Sequence, residues 1–449
     1  MRGLTTTIIL VLVLAGLGAY IYFVESERPA GGIEDREKVF AVEADQIEQI
    51  TLTAKGETTT LTKTDGVWKI TAPVTADADS GQVSSLTTAI AALEINRVLD
   101  ENASNLAEFG LADPRIKVAF KAGSTSGEIH FGETTPTQGD MYAVKAGQAR
   151  VFLVAAHQDT SLAKNTFDLR DKRVLHFDRD KIDTLELTQP GVPTVQLARA
   201  GNEWTLKTPV EARGDYSAIE GLVTRLSTAS MTELVDPNSP ESFGLETPSA
   251  TVTVGTGSTR ATLELGAERE GSLFARDRAR QMIFKVESAL ATDLKKTPEE
   301  LRDKDLFEFR TFNVLRLQVT RGSDTYEFQK VAGGGEGGAD KWQRVVEGKA
   351  TDVDAKAMED FLSKLSALRA QSFNPTTKAP GLAPATLVAA VSYDSGKFER
   401  VRLISGEGQG QAFGVRDGEG GVAVLDANDL SETLKALDAV VNPAPAPTS

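Results

Sequence analysis

Side chains able to carry metal, acid–base or nucleophilic chemistry are few and scattered along the 449 residues. The three histidines are His130, His157 and His176, and there is no cysteine. No histidine stands in an H-x-x-H or H-E-x-x-H pattern, the spacings that place two imidazoles on one helix face around zinc. No serine sits in G-x-S-x-G, and without a thiol there is no cysteine nucleophile. Asp and Glu number 64, so carboxylate pairs arise by chance, and a glycosidase-like reading rests on that abundance alone. The glycines from Gly333 to Gly338, and Gly406, Gly408 and Gly410, resemble phosphate cradles. Both sets lack the Lys-Ser/Thr and the following helix that a P-loop needs. The sequence thus nominates no catalytic residue, no cofactor-binding residue, no cofactor and no metal ligand.

What recurs is structural. Phe109-Gly110-Leu111-Ala112-Asp113-Pro114 returns as Phe243-Gly244-Leu245-Glu246-Thr247-Pro248, with a fainter echo at Pro380 to Ala385. The tryptophans, Trp68, Trp204 and Trp342, keep the same interval. A period of about 135 residues is the length of a domain, whereas solenoid repeats run about 20–50. Leu169-Arg170-Asp171-Lys172 and Leu301-Arg302-Asp303-Lys304 end the first two copies. Asp171 and Asp303 therefore read as members of junction ion pairs.

Aligning the copies gives the elements. Stretches opening at Lys38, Arg173 and Asp305 share apolar positions at Phe40, Leu175 and Phe307, then at Ile50, Leu185 and Leu317, and at Leu52, Leu187 and Val319. The last two sets flank a polar residue, the alternation of a half-buried strand. A hairpin follows, with Asp65-Gly66 or Gly201-Asn202 at the turn and the tryptophan on the returning strand. An amphipathic helix comes next, capped by Asp79 or Ser80, by Asp215 and by Asp354. The F-G-L phrase closes a loop, with Gly110 and Gly244 at positive φ and Pro114 and Pro248 barring a helix. Short strands and a second helix, which carries the L-R-D-K tetrapeptide in the first two copies, complete each module.

The expected class is α+β: three tandem homologous modules, each a mostly antiparallel sheet of about seven short strands with two helices. The boundaries are a transmembrane signal anchor at 1–24, a linker at 25–37, module 1 at 38–172 and module 2 at 173–304. A divergent module 3 follows at 305–440, then a disordered tail at 441–449.

Leu4 to Val24 is uncharged and apolar, and as a helix it spans about 31 Å, the thickness of the hydrocarbon layer. Arg2 before it and Glu25 and Glu27 after it place the bulk of the chain outside the cytoplasm by the positive-inside rule. The expected location is the inner membrane, single-pass, with the modules in the periplasm; cysteine-free composition suits that compartment. The formal charge of −15 excludes nucleic acid as a main partner.

The ordered phrases Trp68-Lys69-Ile70 with Pro73, Phe109-Gly110-Leu111 with Pro114, and Leu169 to Lys172 resemble the bacterial family called domain of unknown function 4340. The second copy keeps Trp204, Pro209, Phe243, Gly244, Leu245 and Pro248, while the third lacks the proline after Trp342 and the phenylalanine before Gly381. The resemblance implies an envelope protein associated with ABC-transporter components of the gliding-motility type, and it transfers no active site. The leading expectation is a non-enzymatic, membrane-anchored scaffold or accessory with protein partners in a transport complex. The alternatives are a periplasmic carrier holding lipid or glycan in an apolar groove between sheet and helices, and an envelope hydrolase.

Overall fold

The computed structural model describes residues 36–236, 242–333, 340–374, 384–406 and 410–443. The expected anchor, nearly all of the linker, most of the Gly333 run, Gly408, Pro380 to Ala383 and the tail from Ala444 lie outside the described residues. Among the described residues no helix is long and apolar enough to cross a membrane. The chain forms two compact units, Met1–Lys172 and Arg173–Ser449. The first holds one nine-stranded sheet and the second holds two.

In the first unit the strands are β1 (Gln49–Ala54), β2 (Glu57–Thr64), β3 (Val67–Ala72), β4 (Ala76–Asp77), β5 (Arg97–Asp100), β6 (Ile116–Ala122), β7 (Thr125–Thr134), β8 (Asp140–Lys145) and β9 (Val151–Ala155). They lie in the order β4-β3-β2-β1-β6-β7-β8-β9-β5, and every neighbouring pair is antiparallel. Alternation fixes the faces. Ile50 and Leu52 of β1 point inward with Leu61, Val118 and Phe120, while Gln49 and Thr51 point out. The helix Ser80–Ala91 presses Val83, Leu86 and Ile90 onto the inner face, each such side chain contributing about 1.5–3 kcal/mol by leaving water. That helix carries the chain from edge strand β4 to the opposite edge, β5. The F-G-L loop then returns it to the centre, where β6 pairs with β1.

Both sheets of the second unit repeat this order, giving α+β modules of nine strands where the pattern suggests about seven. The extra strands are short ones such as β4 and β5, with too few residues to show alternation. The second helix also differs from expectation. The tetrapeptides do not ride on it: Leu169 ends the helix Thr166–Leu169, and Leu301 ends a turn that Arg302 to Lys304 follow. Instead Arg170 bridges Ala78, and Arg302 bridges Gly214. The carbonyls of Leu169 and Leu301 accept from the backbone N–H of Asp79 and Asp215, both at 2.9 Å. Each tetrapeptide thus anchors the start of the main helix, whose cap is the same aspartate: Asp79 accepts from the Gln82 N–H at 2.9 Å, and Asp215 from Ala218 at 2.9 Å. In module 3, Asp354 caps through Ala357 at 2.7 Å. There the second helix is long, Ala427–Val441, and it buries Leu430 and Leu437 with Phe361 and Leu365 of Ala355–Ser366.

The F-G-L phrase has a physical basis in paired glycines. Gly110 and Gly244 both sit at φ 68°, left-handed backbone suited to glycine. The carbonyl of the preceding phenylalanine then drops onto a second glycine in the sheet. A Cβ there would stand 2.1 Å from the Phe109 carbonyl at Gly132, and 2.2 Å from that of Phe243 at Gly266. Register places Ile404 at this position in module 3, so the copy that loses the phrase has also lost the glycine that receives it.

Candidate functional site

The repeat landmarks are dispersed over the modules. Trp68 is half-buried in β3, while Trp204 and Trp342 are buried on the corresponding strands. Trp204 donates its indole N–H to Glu220 at 2.9 Å. Phe109 packs at a tilt against Tyr142 and Phe243 against Phe274, at 5.3 and 5.2 Å between ring centres, and Pro114 and Pro248 each stand two residues ahead of a central strand. Asp171 donates its backbone N–H to Asp77. Asp303 belongs to a larger polar assembly, the seam between modules 2 and 3.

The seam is built by a hairpin. Strands Gln411–Arg416 and Val422–Asp426 of module 3 are joined by a turn carrying Glu419, and the Gly420 N–H bonds the Glu211 carbonyl of module 2 at 2.7 Å. Gly421, at φ 78°, lets the turn lie against Arg302, since a Cβ there would stand 3.2 Å from its Nη1. The Glu419 side chain, 9% exposed, is held between two arginines of module 2. Oε1 accepts from Arg213 Nε at 2.6 Å and Oε2 from Arg302 Nη2 at 3.0 Å. Arg213 also meets Asp303 at 3.1 Å and Glu308 at 3.2 Å, and donates to the Asp305 carbonyl.

A third arginine, Arg416, ties the hairpin to its own module. It reaches Glu399 at 2.5 Å, Glu419 at 3.3 Å and the Leu306 carbonyl at 2.9 Å. Glu399 is buried, yet its two oxygens also accept from the backbone N–H groups of Glu308 and Phe309, both at 3.1 Å. Tyr393 donates its hydroxyl to Glu308 at 3.2 Å.

Burial and charge pull these groups apart. Burial alone would raise the Glu308 carboxyl, but the guanidinium groups of Arg213 and Arg416 outweigh it and hold it below its ordinary value. Burial pushes Asp303 upward despite Arg213, and pushes Arg302 downward against the pull of Glu419. Tyr393 is driven up to about 12 by burial and by the charges of Glu399 and Glu308. The arginines stay protonated and Tyr393 keeps its proton at neutral pH, so the cluster is a lattice of fixed charges. Removing one partner of such a lattice strands the others. Its chemistry is adhesion between modules.

Beside the seam lies a cavity of about 310 Å³, lined by Leu206, Pro209, Val210, Pro298, Arg302 and Phe373 among others, with Arg302 stacked 3.9 Å over the Phe373 ring. The carrier reading placed an apolar groove between sheet and helices. In modules 1 and 3 that space is filled by contiguous buried side chains, and this apolar cavity is at the seam instead. His130 is elsewhere, on the outer face of the first sheet, 2.7 Å from Glu128. No group of three or more His, Asp or Glu able to hold a metal occurs among the described residues.

Sequence reasoning missed Arg213, Glu308, Glu399, Arg416 and Glu419. One of them left a signal. In Lys397–Ser405 the buried positions are Glu399, Val401, Leu403 and Ile404, so a charge sits on the inward alternation. Register equates Glu399 with Gly127 of module 1 and Ala261 of module 2.

The model of the family described as Domain of unknown function (DUF4340) matches residues 68–242 and 204–389, each match opening on a landmark tryptophan. Together they span most of the chain, and the chain belongs to that family. No curated protein and no solved structure matches it.

Proposed function

We propose that this family member is a membrane-anchored, extracytoplasmic scaffold or accessory subunit of an ABC-type transport complex and that it acts without enzymatic chemistry. In this reading residues 4–24 anchor it in the inner membrane, and the modules stand in the periplasm as a platform for protein partners. The observation that carries the reading is the Glu419 seam. Arg213 and Arg302 of module 2 clamp Glu419 of module 3, which Arg416 holds in place from its own module, a junction that suits an arm holding partners at fixed spacing. Extraction of the full chain from its native membrane, with the anchor intact, is expected to bring transporter permease or ATPase subunits through two purification steps. Recovery of a clean, partnerless monomer contradicts the proposal.

The cavity beside Phe373 favours a second reading, a carrier of small apolar molecules. Its volume, about 310 Å³, falls at the lower end of the roughly 300–1,000 Å³ of small-molecule sites. Mass spectrometry of the natively purified chain checks this: a stoichiometric lipid, lost on Val210→Trp, supports the carrier, and a ligand-free chain excludes it.

A further inference from the structure

The outer face of the module 3 sheet differs in chemistry from the corresponding faces of the other two. Phe312 is 76% exposed, Phe398 65% and Leu315 47%, and pairing brings them to one end of the sheet. Phe398 pairs Ser392, and Ser392 pairs Arg316. Leu315 occupies a bulge between Val314 and Arg316, and the Asp394 N–H bonds the Asn313 carbonyl at 3.1 Å. Register gives Ser126 and Arg260 where module 3 has Phe398. The loop that presents Phe312 is pinned, with Lys330 donating to the Phe312 carbonyl at 3.0 Å and the Asn313 side chain accepting from the Arg310 N–H at 2.9 Å. Its ring is displayed on a preorganised support.

Arginines surround this apolar cluster. Arg316, Arg400 and Arg402 are exposed on the same face, and no hydrogen bond or ion pair engages their guanidinium groups among the described residues. Arg316, Arg400 and Phe398 line a groove of about 420 Å³. The acidic groups nearby are Glu327, which accepts from Gln318 at 3.0 Å, Asp340, which pairs Lys330 at 3.2 Å, Asp394, and Asp417, whose backbone N–H bonds the Arg400 carbonyl at 2.9 Å; none of their carboxylates pairs with Arg316, Arg400 or Arg402. The chain carries a formal charge of −15, yet this face sets three arginines without ion-pair partners among the described residues around exposed aromatics. Large exposed apolar patches mark interaction sites, and Arg with aromatic residues is the composition of interface hot spots.

We propose that this face is a docking surface for an acidic protein segment carrying apolar side chains. The arginines supply charge complementarity and orientation, while Phe312, Leu315 and Phe398 supply the desolvated contact. The proposal rests on the scaffold reading, of which it names the partner-binding surface.

The test uses the full chain in its native membrane, with p-benzoylphenylalanine replacing Phe312, Phe398 or, as a control, Ser126. Irradiation is expected to give one protein adduct from positions 312 and 398, its crosslinked peptide net acidic, and none from 126. Arg316→Glu with Arg400→Glu should cut the adduct about tenfold, and so should Phe398→Ser when the crosslinker is at 312. These substitutions lie on the exposed face, and unchanged thermal unfolding verifies that the fold is kept. Adducts to lipid only, the same adduct from position 126, a basic crosslinked segment, or no adduct each overturn the proposal. The two readings also part in the outcome. Transporter subunits that copurify undiminished with Phe312→Ser/Phe398→Ser refute this surface and leave the scaffold standing. An acidic adduct that is no transporter subunit keeps the surface and refutes the transport assignment.

Discussion

Module 1 places Gly127 where module 3 places Glu399, at one register position on the inward alternation of the same strand. A Cβ at Gly127 would stand 2.6 Å from the Phe40 ring and 2.7 Å from Phe120, so the first copy fills the site with aromatic carbon and leaves no room for a side chain. The third copy holds a buried carboxylate there, coordinated by two backbone N–H groups and Arg416. Arg416 in turn positions the turn that delivers Glu419 to module 2. The difference teaches how a repeat diverges: one inward position changed from packing to charge, and the hairpin beyond it became a clasp for the preceding copy.

The comparison can be broken most forcefully at the clasp. Glu419→Ala leaves Arg302 buried without a carboxylate, and loss of one partner from a buried pair is expected to destabilise the second unit by about 3–5 kcal/mol, read from urea unfolding. The corresponding loop in modules 1 and 2 is next. Gly266→Val drives a side chain into the Phe243 carbonyl, with an expected loss of about 3 kcal/mol or more. Ile404→Val at the same register in module 3 should lose only about 0.5–1.5 kcal/mol; equal losses would deny that the glycine is needed where the loop descends.

A weaker lever is acid. Glu308 titrates below the ordinary glutamate value of 4.5, so its contribution is present above that value and is lost as pH falls through its lower folded value. Asp303, raised by burial, runs the other way: its contribution is full below its ordinary range and is lost as pH rises through the folded value. Urea midpoints measured downward from pH 5 should fall for the second unit, and Glu308→Gln should flatten the fall. The smallest effects are shared ones. Asp79→Ala, Asp215→Ala and Asp354→Ala should each lose about 1 kcal/mol in calorimetry, alike in all three modules because the cap is common machinery.

Much of the fold is legible because it rests on local rules. Alternation at Ile50 and Leu52, the Asp65-Gly66 turn and the aspartate caps depend on residues near one another in the chain, and three copies let each reading check the others. The role of the F-G-L phrase is only half legible: Gly110 announces its own backbone, but the glycine that receives the loop, Gly132, becomes meaningful only once β6 is seen to pair with β7. The seam is less legible still. Arg213 and Glu419 are 206 residues apart in sequence, and in so acidic a chain no spacing distinguishes Glu419 from carboxylates that face water. Only Glu399, a charge in step with Val401 and Leu403, betrays itself.

Hydrogen exchange of the full chain across a denaturant series tests the central claim most directly, because it resolves each module's opening. If Glu419 locks modules 2 and 3, backbone amides of both sheets in the second unit share one cooperative transition, and Glu419→Ala splits it into two. Separate transitions for the two sheets in the unaltered chain, or a single one that survives Glu419→Ala, would contradict the account.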